Sequence, residues 1–312
     1  MKLKGLSHYN NDKDTRFGDC ILLYNDKTLM VYDCGHEKHS DEIKSFLENK
    51  ASISQIHLVV SHNDSDHTDG FINLMEYLHK NKYDVDLYSS LYLKSVEKIS
   101  AILDDDRRTP SATKERILKL FDNIKTIVEK AEEYNFTIEN ATVGRTVSSG
   151  RVVGPTEDEF VSVVAKAIED GAVSQIEGEN VMNAASVQIT INLENAQSIL
   201  LCGDASPSFL HNLEKYHIIQ LPHHGKLNSA IEIFDELKDP TNKDYFISDN
   251  TGTGTNSGGS NDLVKYMSEE NYSPAYNTKN DVVLLPEGVF GIGSTSNNKP
   301  KGVKLGEMDY WF

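Results

Sequence analysis

Four side chains able to hold a divalent cation fall within the six positions His62 to His67 of the segment Ser61-His62-Asn63-Asp64-Ser65-Asp66-His67. They follow Ile56-His-Leu-Val-Val-Ser61, an apolar run of strand length that would deliver them to a loop at a sheet edge. Two carboxylates this close repel each other unless something neutralises them. With His62 and Asp64 turned one way and Asp66 and His67 reaching a neighbouring position, the run would suit two cations about 3.5–4 Å apart sharing one water. Asp204 ends a second apolar run, Ser198-Ile-Leu-Leu-Cys202-Gly203, and His223-His224 ends a third, His217-Ile-Ile-Gln-Leu221-Pro222. Alone, a Gly-Asp is a turn and a His-His pair a packing feature. Three such clusters at strand ends point to one metal site, whose chemistry would be hydrolysis.

The elements that must position these residues can be read from the pattern. Asp19 to Asp33 gives two β-rich runs around Asn25-Asp26-Lys27, a hairpin. The spacing of Ile43, Phe46 and Leu47 predicts a helix over Asp41–Lys50, and periodicity restarts over Phe71–Lys80. Between about 88 and 150 the character changes: Ser95–Leu103 and Thr113–Tyr134 carry helical spacing and much charge, broken at Arg107-Arg108-Thr-Pro110. This reads as a helical insertion, serving either as a lid or partner surface or as packing on a sheet edge. Thr156–Ile168 predicts a further helix. Strand alternation returns over Ser186–Leu193, Ser198–Cys202, His217–Leu221 and Tyr245–Ser248, and Val282–Leu285 with Gly288–Ile292 predicts a last hairpin. The Gly/Ser/Thr/Asn-rich stretch ending at Ser260 lacks the lysine of a phosphate-cradling loop and reads as a flexible active-site loop.

Composition bounds the rest. The 312 residues suffice for one large α/β domain or two modest ones, and 38% hydrophobic with 25% charged residues is ordinary for a folded chain. No apolar run reaches the roughly 18 residues of a membrane span, and Met1-Lys-Leu-Lys-Gly-Leu-Ser7 lacks the apolar core of a signal peptide. Three cysteines, Cys20, Cys34 and Cys202, make no disulfide framework, so a cytoplasmic location is expected. The net charge of −17 offers no basic face for long duplex nucleic acid, but bound cations would still admit a phosphate substrate. His36 and His39 are expected to be solvated loop histidines; His57, His79, His211 and His217 are assigned to structure or surface.

The His62-x-Asp64-x-Asp66-His67 run resembles the His-x-His-x-Asp-His signature of the metallo-β-lactamase superfamily, with Asp64 at the second histidine. That variant is similar to the soluble C-terminal domain of ComEC-type DNA-uptake proteins and their stand-alone relatives. Phe17-Gly-Asp-Cys-Ile-Leu-Leu23 and Val31-Tyr-Asp-Cys-Gly35 resemble the opening hairpin and the Asp-x-Gly turn of that family. Asn183 with Ser186-Val-Gln-Ile189, Leu200-Leu-Cys-Gly-Asp204 and Leu221-Pro-His-His-Gly225 follow in the same order, and Tyr276-Asn-Thr278 is similar to its last strand. The resemblance implies an α/β layered fold, the αββα metallo-β-lactamase sandwich, as a single domain over 1–312 with the helical insertion at about 88–150. It implies two divalent metal ions: His62 and Asp64 on the first, Asp66, His67 and His223 on the second, Asp204 bridging. Asp33 would orient a ligand histidine through its ring N–H. Asp66 and His224 are the catalytic candidates, His224 giving a proton to the leaving group or binding the substrate phosphate. Which of His223 and His224 is the ligand stays open; His223 is favoured because it comes first off the strand.

Two departures matter. The third histidine of the first site has no counterpart, and Asn183 and Ser186 occupy its neighbourhood. The family's His-Pro after the penultimate strand is replaced by Thr255-Asn-Ser-Gly-Gly-Ser260. Oxygen ligands at Asp64 and Asp204 set Mn²⁺ beside Zn²⁺ as the metal. The expected activity is phosphodiester hydrolysis of single-stranded nucleic acid or nucleotides by a metal-activated hydroxide, with Lys226 leaning toward phosphate. The alternatives are a hydrolase of a small-molecule ester, lactone or amide, and a nuclease-like effector of a multi-protein bacterial defence system, gated by a protein partner on the helical insertion.

Overall fold

Short apolar runs with period-two alternation form two sheets in the computed structural model, which describes residues 1–7, 17–90, 110–170, 175–176, 179–250, 259–279 and 281–286. The first sheet holds β1 (Lys2–Gly5), β2 (Ile21–Tyr24), β3 (Thr28–Tyr32), β4 (Gln55–Val60), β5 (Asp84–Ser89) and β6 (Thr137–Asn140). The second holds β7 (Thr146–Val147), β8 (Gly150–Gly154), β11 (Gln188–Asn192), β12 (Ser198–Leu201), β13 (Ile218–Gln220), β14 (Asp244–Ile247) and β15 (Tyr276–Asn277). A separate small hairpin joins β9 (Gln175–Ile176) and β10 (Glu179–Asn180). The last strand, β16 (Val283–Leu285), returns to the first sheet beside β1.

Strand order is β16-β1-β2-β3-β4-β5-β6 in one sheet and β15-β14-β13-β12-β11-β8-β7 in the other. Within each sheet a parallel set forms: β3 to β6 in the first, β12 to β15 in the second. Parallel strands align their carboxyl ends, and the crevice outside those ends is where ligands bind in such sheets. Asp33, Ser61-His62, Asp204 and His223-His224 each follow one of these ends.

Alternation decides the layers. Ile21, Leu23, Met30, Tyr32, Ile199 and Leu201 point between the sheets, into a shared core with Ile189, Ile218 and Phe246. Their neighbours Leu22, Leu29 and Val31 point outward, under α1 (Glu37–Glu48), α3 (Phe71–Lys80), α4 (Pro110–Leu120), α5 (Asp122–Glu133) and α6 (Glu157–Asp170). On the other side, Leu200, Ile219 and Tyr245 pack under α8 (Leu227–Glu236) and α9 (Asn261–Glu269). Two single turns, α2 (Ser65–Thr68) and α7 (Val181–Ala184), lie near the strand ends. Each fully buried leucine, isoleucine or phenylalanine contributes about 1.5–3 kcal/mol. The Tyr32 hydroxyl ties the sheets, donating to the Val187 carbonyl at 2.6 Å. The architecture is the layered αββα arrangement expected from the sequence.

Between 88 and 150 the described residues give α4 and α5 but also β6 and β7. Ile117, Phe121, Ile124, Ile127 and Ala131 are buried in the outer core of the first sheet, and Phe121 stacks on Phe160 of α6. The Ser95–Leu103 helix, the Arg107-Arg108 break and the Thr255–Gly258 part of the Gly/Ser/Thr/Asn-rich loop lie outside the described residues. β16 pairs antiparallel with β1, Leu3 opposite Leu285, and the Gly288–Ile292 arm of the expected tail hairpin lies outside the described residues. No helix among the described residues is long and apolar enough to cross a membrane.

Candidate metal centre

The first sheet fixes two imidazoles through one carboxylate. Asp33, just past β3, takes a positive φ of 60°, which turns its side chain toward the end of β4. Its carboxylate accepts from the Ser61 amide at 2.7 Å, the Ser61 hydroxyl at 2.6 Å and His67 Nδ1 at 2.8 Å. The Ser61 proton being used on Asp33, its oxygen accepts from His62 Nδ1 at 2.9 Å. Both rings therefore carry their proton on Nδ1 toward the protein and turn Nε2 into the cluster, the orientation a metal-ligating imidazole needs.

The loop carrying Asp66 is held just as closely. The Asp66 carbonyl accepts from the Asp19 amide at 3.0 Å, and it lies where Gly18 and Gly35 leave room. A Cβ at Gly18, whose φ is +65°, would come within 1.7 Å of that oxygen; one at Gly35 would come within 2.0 Å. Asn250 holds the same corner, its amide donating to the Leu6 and Gly18 carbonyls.

The second sheet brings Asp204, His223 and His224. Asp204 is 2% exposed; its Oδ1 lies 3.4 Å from His67 Nε2 and its Oδ2 3.8 Å from His62 Nε2. His223 and His224 both take positive φ, 53° and 55°. The two rings consequently approach from different sides. His224 is buried, with Nε2 3.2 Å from Asp66 Oδ2 and Nδ1 donating to Asp19 Oδ1 at 3.0 Å and toward the Ser248 carbonyl at 3.1 Å. His223, favoured from the sequence as the ligand, keeps 25% of its side chain exposed and sets Nδ1 3.6 Å from Asp204 Oδ2. Asp64 is the most open of the set at 38%, its Oδ2 4.0 Å from His62 Nε2.

All six expected ligand residues and His224 thus converge on one sheet edge. The sequence reading gave no role to Asp19, which is 1% exposed and also accepts from Gln220 Nε2 at 3.2 Å. Asp19 stands two residues before β2, directly after Gly18. His36 caps α1 rather than lying in a loop, and His39 is buried within that helix.

The cluster fits divalent cations. Two groups of ligand atoms lie within 4.8 Å of one another: His62, His67 and Asp204, and Asp19, His67 and His224. Donors at about 2.1 Å from one ion stand at most about 4.2 Å apart, and the separations of 3.2 to 4.0 Å given above meet that limit. His62 Nε2, His67 Nε2 and Asp204 Oδ1 are buried with no hydrogen-bond partner among the described residues. Burial and the neighbouring His67 charge push the His62 proton affinity down. Burial opposes charging of His67 and His224, but Asp204 and Asp33 around the first, and Asp19 and Asp204 around the second, outweigh it and raise both well above the ordinary histidine value. Burial likewise opposes ionisation of Asp66 and Asp204, yet the histidines outweigh it and hold both carboxyls below their usual range.

No family model and no curated protein matches the chain. Solved structures similar to it include human tRNase Z, short form, at 10% identity over 70% of this chain and 76% of that one, with a TM-score of 0.37. The metallo-β-lactamase fold protein YhfI from Bacillus subtilis is 8% identical over 88% of this chain and 95% of its own, TM-score 0.45. A long form RNase Z from yeast is 11% identical over 87% of this chain and 36% of its own, TM-score 0.36. These are distant likenesses of arrangement and say nothing of activity.

Proposed function

We propose that the chain is a metal-dependent hydrolase of the metallo-β-lactamase superfamily, related to the ComEC-type domain, that cleaves phosphodiesters in single-stranded nucleic acid or nucleotides. The observation that carries the hydrolase reading is the convergence of His62 Nε2, His67 Nε2 and Asp204 Oδ1, buried and without hydrogen-bond partners among the described residues, at the carboxyl ends of two parallel strand sets. The phosphodiester reading rests on the His-x-Asp-x-Asp-His resemblance, the oxygen-rich donor set and Lys226 directly after His-His-Gly.

In this reading His62, Asp64 and Asp204 hold one cation, and Asp66, His67, His224 and the shared Asp204 hold the second. Divalent cations held by these residues would supply Lewis acidity toward a water and positive charge toward the oxygens of the scissile phosphodiester. Asp33 and Ser61 fix the tautomers of His67 and His62, and Asp19 fixes that of His224. His223, whose side chain stays 25% exposed, would meet substrate and pass a proton to the leaving oxygen. Zn²⁺ and Mn²⁺ both suit this donor set.

The test is hydrolysis of bis-p-nitrophenyl phosphate and of a labelled single-stranded oligonucleotide with Mn²⁺, with Zn²⁺ and with EDTA, beside Asp66→Ala. Metal-dependent cleavage lost in the variant is expected. A folded protein that binds two cations and cleaves neither substrate would overturn the phosphodiesterase reading and favour the ester hydrolase or the partner-gated effector. A protein that binds no divalent cation would overturn the hydrolase reading itself.

A further inference from the structure

The first cation position has one imidazole and two carboxylates facing it, and a fourth polar group lies beside them. Asn183 is 3% exposed, its Nδ2 is 3.5 Å from Asp204 Oδ2, and its Oδ1 is buried without a donor among the described residues. A buried amide oxygen calls for a donor or a cation. Nothing about its placement is loose. The amides of Met182 and Asn183 donate to Asn180 Oδ1, which caps the α7 turn. The Asn183 carbonyl accepts from the Ser186 amide at 2.9 Å and the Ser186 hydroxyl at 2.7 Å. The same hydroxyl oxygen accepts from the Asp204 amide at 3.3 Å, so one serine ties Asn183 to Asp204.

A carboxamide has the same shape either way round, and its two ends differ only in which is donor. With the NH₂ toward Asp204 the bond is long and the oxygen is stranded. Turned about, the oxygen takes the NH₂ position beside Asp204 Oδ2, and two oxygens facing each other at that distance are the arrangement of two ligands on one cation.

We propose that Asn183 supplies a neutral oxygen ligand to the cation held by His62, Asp64 and Asp204, and that the two metal positions therefore differ in kind. The first has one nitrogen and three oxygens. The second, with His67, His224, Asp66 and Asp204, has two nitrogens. Carbonyl and carboxylate oxygens suit Mn²⁺ and other hard cations, while imidazole suits Zn²⁺. The centre is thus built for a mixed pair, Mn²⁺ in the first position and Zn²⁺ in the second. This inference rests on the two-cation reading of the cluster.

Metal-free protein would be titrated with Mn²⁺ and with Zn²⁺ by calorimetry, with Mn²⁺ occupancy followed by electron paramagnetic resonance. In wild type, one bound Mn²⁺ should persist when one equivalent of Zn²⁺ is added. Asn183→Leu should weaken that Mn²⁺ by about tenfold or more and leave the Zn²⁺ affinity of the second position within about twofold. Asn183→His, which places an imidazole there, should move the first position toward Zn²⁺. Should the leucine variant fail to fold, Asn183→Asp keeps an oxygen at the same reach and must hold Mn²⁺ at least as tightly as wild type. Unchanged Mn²⁺ binding in Asn183→Leu, equal weakening of both positions, or loss of Mn²⁺ in Asn183→Asp would each overturn the proposal. Wild type binding no cation at all would instead overturn the two-cation reading on which it stands.

Discussion

Asp19→Asn is the perturbation that most directly probes how the second cation position is held. Gln220 decides what the variant can do. Its Oε1 accepts from the Cys202 and Gly203 amides, so its Nε2 must point at residue 19. Asparagine there has one oxygen for two donors, Gln220 Nε2 and His224 Nδ1. If the oxygen faces His224, two NH₂ groups face each other across Gln220; if it faces Gln220, the NH₂ group opposes the His224 Nδ1 proton. The Ser248 carbonyl, 3.1 Å from Nδ1, favours the first outcome because it keeps that proton in place. The imidazole then retains its tautomer but loses the carboxylate that raises its basicity. Loss of a partner oriented this way costs about 10–100-fold in metal affinity. The Ser248 backup places the expected loss at the lower end, about tenfold or about 1.4 kcal/mol. The assay is competition of metal-free protein with a chromogenic chelator for Zn²⁺, with a thermal melt to establish folding. A folded Asp19→Asn protein with unchanged Zn²⁺ affinity would refute the positioning role. Equal loss in Glu194→Gln, whose carboxylate lies 3.9 Å from Lys2 Nζ and away from the cluster, would show that the assay does not report on the site.

Three further outcomes follow from the same geometry. Because the folded-state proton affinities of His67 and His224 are raised, a cation must expel protons held at neutral pH. Metal affinity should therefore rise with pH until those rings are neutral, then level off, and calorimetry in buffers of different ionisation enthalpy should show proton release; pH-independent binding without release would contradict the assignment. Cations that bind only the native state raise its stability, by about 2.7 kcal/mol at a hundred times Kd, so Mn²⁺ or Zn²⁺ should raise Tm in wild type and not in Asp204→Asn. Away from the site, burial lowers the His57 proton affinity below 6.5, with Asp86, 3.2 Å away, opposing it. The unfolded state then binds more protons below that value, so this contribution to stability is complete above about pH 6.5 and is lost as pH falls; denaturant melts of His57→Gln should show a flatter loss of stability on acidification than wild type.

The parts of this centre legible in the sequence are those whose chemistry is local. His62, Asp64, Asp66 and His67 announce themselves because four ligand types crowd the end of one apolar run. Asp204 and His223-His224 follow by the same signature, a polar cluster closing a short strand. Asp19 was hidden because the group it serves, His224, lies 205 positions away, and nothing within its own segment distinguishes it from a strand-opening acid. The different approaches of His223 and His224 were hidden for another reason: they depend on two consecutive positive φ values, which no pattern of residue types encodes. β1 was obscured because its four residues, Lys2–Gly5, hold one large apolar side chain, the fully buried Leu3. β6 buries none of its four residues fully and so shows no apolar face, and β7 is two residues long; only pairing to β5 and β8 makes them strands.

The strain at the strand ends and the orphaned polar atoms have one explanation between them. Asp33, His223 and His224 hold left-handed backbone, which costs a non-glycine residue about 1–2 kcal/mol. His62 Nε2, His67 Nε2, Asp204 Oδ1 and Asn183 Oδ1 are buried without partners among the described residues, each at about 1–3 kcal/mol. Apolar packing on both faces of two sheets is what sustains these terms. These three residues and four atoms lie at the same edge, and two of the strained residues, Asp33 and His223, orient or approach residues that carry the orphaned atoms. Asp33 turns His67 and, through Ser61, His62; the turn at His223 sets its ring against Asp204. Left-handed residues occur elsewhere too, at Lys82, Asn135 and Asn212, and unpartnered buried hydroxyls at Ser40 and Ser273 among the described residues; what sets this edge apart is that both meet between donors spaced for a divalent cation, as the proposed metal centre would require.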